Sequence, residues 1–120
     1  MTSHPLLSYT KSMSSTDFVV SAPGRICLFG EHQDYLGLPV IAAAINRRIR
    51  AEVRSLSDGN LLKLDMPDIN EQMVIDPSQE QRYAHSRDYL RAGVNVLRRE
   101  GAVFPRGADI RITSNIPMQA

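Results

Sequence analysis

The stretch that decides the fold is Ala22-Pro23-Gly24-Arg25-Ile26-Cys27-Leu28-Phe29-Gly30-Glu31-His32-Gln33-Asp34-Tyr35. Pro23-Gly24 is a turn signal, so the β-prone run Phe18-Val19-Val20 is expected to end there. Ile26 to Phe29 then reads as a second short strand, bounded by Gly30. Glu31 to Tyr35 is too polar for a core and too short for a linker. A permanently charged guanidinium at one end of a rigid strand and an acidic loop at the other is how sites are commonly built. The scaffold fixes the groups and the loop presents them.

Working outward, Val40 to Ile45 is apolar and suits a buried strand, although its alanines also suit a helix. Arg47 to Ser55 alternates: Ile49, Ala51 and Val53 face one way, and Arg48, Arg50, Glu52 and Arg54 the other. That is the period of a half-buried antiparallel strand. Asp58-Gly59 predicts a hairpin between this strand and Leu61 to Leu64, and Met73 to Ile75 predicts a further short strand. A helix is expected over residues 86–100, with Ser86 as N-cap and Asp88 in the first turn. Leu90, Val94 and Leu97 would share one face, Arg98 and Arg99 close the last turn, and Gly101 is the C′ residue. Ala108 to Thr113 alternates again, placing Ile110 and Ile112 on one side and Asp109 and Arg111 on the other. Several strands, one helix and hairpin links make an α+β domain.

With 120 residues there is room for one small domain, not for separate nucleotide and substrate lobes. Residues 1–16 are Ser/Thr-rich without periodicity and read as a flexible tail, leaving 17–120 as the folded part. They lack the basic start and apolar stretch of a secretory leader, so a cytoplasmic location is expected. No apolar run approaches the roughly 20 residues that span a bilayer, so no membrane partner is expected. A net charge of +1 gives no sign of a nucleic-acid partner. The arginines between 47 and 54 have no interleaved aromatic to stack a base and read as a solvated strand face. The basic residues are nearly all arginine, Lys11 and Lys63 being the lysines.

The single cysteine, Cys27, excludes an internal disulfide and sits in an apolar run, where a thiol behaves as a small hydrophobe. His4 and His85 are isolated and read as surface residues. Asp65, Asp68 and Glu71 form an acidic loop that reads as a solvated turn, with cation binding as the rival.

Glu31, His32 and Asp34 suit three chemistries: metal ligation, acid–base work, or hydrogen bonding to a polyol. Their spacing is not a known ligand motif and no second His lies nearby, so no metal site is assigned. By themselves they also suit a solvated loop.

Pro23-Gly24-Arg25 followed by Gly30-Glu31-His32 and Asp34-Tyr35 resembles the galactokinase signature of the GHMP (galacto-, homoserine, mevalonate and phosphomevalonate) kinases. The resemblance continues more loosely through Pro39 to Ile45, the alternating strand and the helix. It implies the N-terminal part of the GHMP kinase domain, a ribosomal-protein-like β-α-β fold with a mixed or antiparallel sheet and a packed helix. It also implies an ATP- and Mg²⁺-dependent kinase acting on a small-molecule sugar, at the anomeric hydroxyl. Arg25 matches the arginine beside the phosphoryl acceptor, and Glu31, His32 and Asp34 match the groups that hydrogen-bond sugar hydroxyls.

Ser114-Asn115-Ile116-Pro117 resembles the approach to the family's phosphate loop, which makes Asn115 and Pro117 the cofactor-side candidates. In the family this approach runs on into a Gly-Leu-Ser-Ser type stretch, and the catalytic aspartate lies beyond it. The 120 residues are therefore expected to be an N-terminal portion, inactive alone. Their last strand is expected to show an uncovered apolar face at Ile110 and Ile112.

Two departures matter. Cys27 stands where galactokinases usually have asparagine. Gly37 and Pro39 follow Gly30 at mevalonate-kinase offsets, and Leu28-Phe29-Gly30-Glu31-His32 is also mevalonate-kinase-like. Asp34-Tyr35 pulls toward the sugar kinases, so a sugar acceptor is favoured. A mevalonate-type kinase fragment and a non-catalytic sugar-binding remnant are the alternatives.

Overall fold

A computed structural model describes residues 16–117. The expected tail lies outside them but for Thr16. Five strands form one mixed sheet: β1 (Phe18–Phe29), β2 (Ile41–Ser55), β3 (Leu62–Met66), β4 (Glu71–Ile75) and β5 (Ala108–Ser114). One helix, α1 (Tyr89–Arg99), links β4 to β5. The order across the sheet is β1-β2-β5-β3-β4, with β5 parallel to β3 and every other pairing antiparallel. The α+β expectation holds, with details that differ.

The hairpin expected at Asp58-Gly59 does not form, because β5 lies between β2 and β3. Joining parallel neighbours needs a crossover, and α1 supplies it on the way from β4 to β5. Residues facing each other across the ladders share a face, which makes Val53, Ile110, Leu64 and Met73 one apolar row. The buried core is Leu64, Ile75 and Val94, with Leu62, Met73, Leu90, Phe104, Ile110 and Ile112 packed against it. Ile110 and Ile112 are thus half-buried beneath α1, and the uncovered face expected on β5 is corrected. The uncovered apolar surface lies instead on the β1–β2 half, where Val20, Leu28, Phe29 and Ile41 are all more than half exposed.

The helix starts three residues later than the sequence suggests. Its N-cap is Asp88, not Ser86, and the Asp88 carboxylate accepts from the Arg91 amide and from the Ala84 amide at 2.9 Å. Burying this carboxylate at the head of the helix satisfies loop and helix donors together, which an exposed Ser86 does not. At the other end the Ala102 amide donates to Leu97 at 2.9 Å and Gly101 to Arg98 at 3.0 Å, the paired bonds of a Schellman motif. The buried stripe is Leu90, Val94 and Asn95, whereas Leu97 faces outward. Asn95 is fully enclosed because its side chain accepts from the Gln81 amide at 2.7 Å and donates to the Gln81 carbonyl at 2.9 Å. Gly93, mid-helix, has open space where a Cβ would stand. Gly93→Ala is expected to stabilise by about 0.5–1 kcal/mol, read as a higher midpoint in thermal unfolding.

The polar face of the sheet is laced by cross-strand contacts. Arg48 donates to Ser21, Arg54 pairs with Asp109, and Arg111 with Asp65 at 3.9 Å, while Arg50 pairs along β2 with Glu52 at 3.2 Å. Asp109, on the side of β5 opposite Ile110 and Ile112, is buried and pairs with Arg54. The acidic loop is engaged as well, since Asp68 accepts from the Ser114 amide at 2.6 Å.

Candidate functional site

Pro23-Gly24 does not end a strand. β1 runs through it, and the irregularity is taken up as a bulge on β2, where Ile45, Asn46 and Arg47 stand opposite Gly24. Pro23 is tolerated because β1 is the edge of the sheet. A long bulged strand also explains why Val40 to Ile45 and Arg47 to Ser55, two stretches in the sequence, form one element.

β5 ends at Ser114, opposite Ile49, and Ile49 faces Ala22. Beyond that level β1 and β2 continue as a two-stranded arm, pairing Arg25 with Ala44 and Phe29 with Ile41. Arg25 lies at the base of this arm and Phe29 at its tip. At about 3.3 Å per residue the two are roughly 13 Å apart.

The loop at the tip begins with Gly30, at φ 90°, where a Cβ would stand 2.9 Å from the Pro39 carbonyl. Only glycine fits this close return of the chain. The Gln33 amide donates to Gly30 at 3.0 Å, His32 takes φ 64°, and Asp34–Leu36 is a single 3-10 turn closed by Gly37. Glu31, His32 and Asp34 therefore share one short loop, all three exposed, as is Arg25. No side-chain hydrogen bond or ion pair joins any of the four to another described residue. Among the described residues no three His, Cys, Asp or Glu side chains converge on a point that could hold a metal.

Cys27 is exposed, correcting the buried position its neighbours suggest, and its thiol donates to the Phe29 carbonyl at 3.3 Å. Among the described residues, no second layer covers the edge-strand side chains on the arm. His85 is exposed as expected, and His4 lies outside the described residues.

Asn115 does not sit in an open loop. Its Oδ1 accepts from the Arg48 amide at 2.6 Å, its carbonyl from Arg47 Nη1 at 3.0 Å, and its amide donates to Arg48 at 3.2 Å. Ile116 follows, its Cδ1 3.0 Å from where a Gly24 Cβ would be. The fold thus brings Ile116, which lies between the cofactor-side candidates Asn115 and Pro117, against the residue before Arg25, while the loop of Glu31, His32 and Asp34 stands away at the arm's tip. Pro117 is exposed. The sequence reading places Asp68 in a solvated acidic turn and Asp88 in the first helical turn, and misses that both anchor backbone; Asp-Ile-Asn after a proline and Asp-Tyr-Leu before a helix are weak signals of that role.

Residues 8–55 match the galactokinase galactose-binding signature, a span that holds Arg25, Glu31, His32 and Asp34. A mevalonate kinase of Candida albicans is 46% identical over 57 residues, covering 48% of this chain and 13% of that protein. A galactokinase of Glaesserella parasuis is 32% identical over 106 residues, covering 84% and 27%. The chain is a homologue of the GHMP kinases, matched to their N-terminal part. Among solved GHMP kinase structures, Lactococcus lactis galactokinase complexed with galactose superposes with a TM-score of 0.67 at 26% identity, covering 88% of this chain and 29% of that one. The chain spans less than a third of each of these relatives. They are kinases, which implies ATP use with Mg²⁺. Asn115 Oδ1 is engaged by the Arg48 amide, and among the described residues no three His, Cys, Asp or Glu side chains converge on a cation site. No helix among the described residues is long and apolar enough to cross a membrane.

Proposed function

We propose that this GHMP kinase homologue forms the acceptor-binding part of an ATP-dependent sugar kinase, its acceptor a monosaccharide phosphorylated at the anomeric hydroxyl. One observation carries the reading. The residues Arg25, Glu31, His32 and Asp34, within the span that matches the signature, lie on a single strand-and-loop unit and are all exposed. A sugar presents several hydroxyls and needs several fixed acceptors, which Glu31 and Asp34 supply on one loop. Each such contact discriminates because a polar group left without its partner costs roughly 1–3 kcal/mol. Arg25, always charged, suits a place near the reacting hydroxyl, where negative charge gathers during transfer. Catalysis of this kind rests on positioning and electrostatics.

Calorimetric titration of the chain with galactose, related sugars and mevalonate tests the acceptor. Galactose or an epimer is expected to bind, and Asp34→Ala to weaken it by about tenfold or more. Binding of mevalonate with no heat from any sugar overturns the sugar reading in favour of the second one, a mevalonate-type kinase fragment. That second reading is supported by the 46% identity to a mevalonate kinase. The isolated chain is expected not to turn over, and phosphorylation of any sugar in a coupled assay would contradict this. A chain that binds sugar without turnover fits either a kinase portion or a non-catalytic remnant.

A further inference from the structure

The end of β5 is held from both sides. Toward β3, Asp68 accepts from the Ser114 amide at 2.6 Å. Toward β2, Asn115 forms the three bonds to Arg47 and Arg48 described above, one residue past the bulge opposite Gly24. Ser114 Oγ then accepts from the Ile116 amide at 3.0 Å, turning the chain so that Ile116 sits over Gly24 and beside Ile45. The β2–β5 ladder ends at the Ile49–Ser114 pair, which leaves the next β2 backbone donor facing β5 without a ladder partner. Here that donor is the Arg48 amide, and the asparagine side chain fills the gap. An alanine at this position has no acceptor to offer. Aspartate keeps one.

We infer that Asn115 is a positioning residue: its side chain holds β2 at Arg48, where the bulge ends, and so fixes the base of the arm, and with it Arg25, against the segment that leads toward the nucleotide side. It is not itself a phosphate ligand. The link to Arg25 as a functional group rests on the kinase reading above. The lock is measured without any ligand, so failure of sugar binding and failure of the lock are separate results.

Amide hydrogen exchange by NMR on the 120-residue chain, its Asn115→Ala and its Asn115→Asp variants tests the lock. Asn115→Ala is expected to speed exchange of the Arg48 amide by about tenfold, the equivalent of one hydrogen bond. The protected amides flanking Gly24 on β1 and β2 should speed up with it, and the Arg25 Nε–H signal should move. β3 and β4 should be unchanged, and Asn115→Asp should restore the parent pattern. An unmoved Arg48 amide, or equal acceleration across all five strands, would overturn the inference. If Asn115→Ala fails to fold, the parent chain still decides. Titration with inorganic tripolyphosphate should leave the Asn115 side-chain amide signals in place, whereas saturable movement would make Asn115 a phosphate ligand and sink the assignment.

Discussion

Asp88→Ala is expected to lower stability by about 3–5 kcal/mol, the cost of removing one partner from a buried ion pair. The side chain of Asp88 is almost wholly enclosed and pairs with Arg91 Nη1 at 2.7 Å, Arg91 itself being mostly covered. It also accepts from the Ala84 amide at 2.9 Å and from the Arg91 amide at the first turn of α1. Alanine leaves a partly buried guanidinium and two backbone donors without a partner. Domains of this size hold only about 5–15 kcal/mol in total, and here the buried apolar side chains are Leu64, Met66, Ile75 and Val94. Urea unfolding of the variant should therefore begin near zero denaturant. Asp88→Asn, which keeps an acceptor for the cap, should lose less, about 1–2 kcal/mol. Equal losses for the two variants would show that the charge pair, not the cap, is what matters.

The same carboxylate sets an acid limit. Burial pushes the Asp88 carboxyl up, but the hydrogen bonds from the Ala84 amide and from Arg91 outweigh it and hold the group below the usual carboxylate range. A lowered folded-state value means the stabilisation is complete above the unfolded value of about 3.9 and is lost as pH falls through the folded value. Unfolding midpoints measured from pH 6 downward should fall below about pH 4, and Asp88→Asn should flatten that part of the curve.

The parts of the fold that sequence reveals are those governed by local rules. Alternation found β2 and β5, the apolar period found α1, and the Gly30 turn placed Glu31, His32 and Asp34 in one loop. Misreadings arise where a distant partner decides. Pro23-Gly24 is a turn by local chemistry, yet edge position and a bulge on β2 carry the strand through it. Ser86 has the chemistry of a cap, but Asp88 is the residue that Arg91 and Ala84 can both reach. Asn115 reads as part of a turn because nothing local says that Arg48, 67 residues earlier, lacks a ladder partner. Asp58-Gly59 has the local chemistry of a hairpin, yet a hairpin there would close the slot between β2 and β3 that β5 occupies.

Gly107→Ala is expected to open that slot. Gly107 is buried where β5 enters between β2 and β3: its amide donates to Gly59 at 2.9 Å, and its carbonyl accepts from the Leu56 amide at 2.9 Å. An added Cβ would lie 2.6 Å from the Leu61 carbonyl oxygen and 3.1 Å from the Leu61 nitrogen. Both are backbone atoms, so no rotamer change relieves the clash; β3 and β5 must move apart. The bond from the Ala108 amide to Leu61, 3.0 Å long, is the first to go, and the Leu62–Ala108 and Leu64–Ile110 pairings follow it. Overpacking of this kind costs about 3 kcal/mol. At about 4–8 °C per kcal/mol for a domain of this length, the thermal midpoint should drop by more than about 12 °C. Gly93→Ala adds the same methyl group in open space and should move the midpoint the other way. A Gly107→Ala chain melting within a few degrees of the parent would mean that β5 enters the sheet with slack, and that the β3–β5 seam is not what limits where β5 can insert.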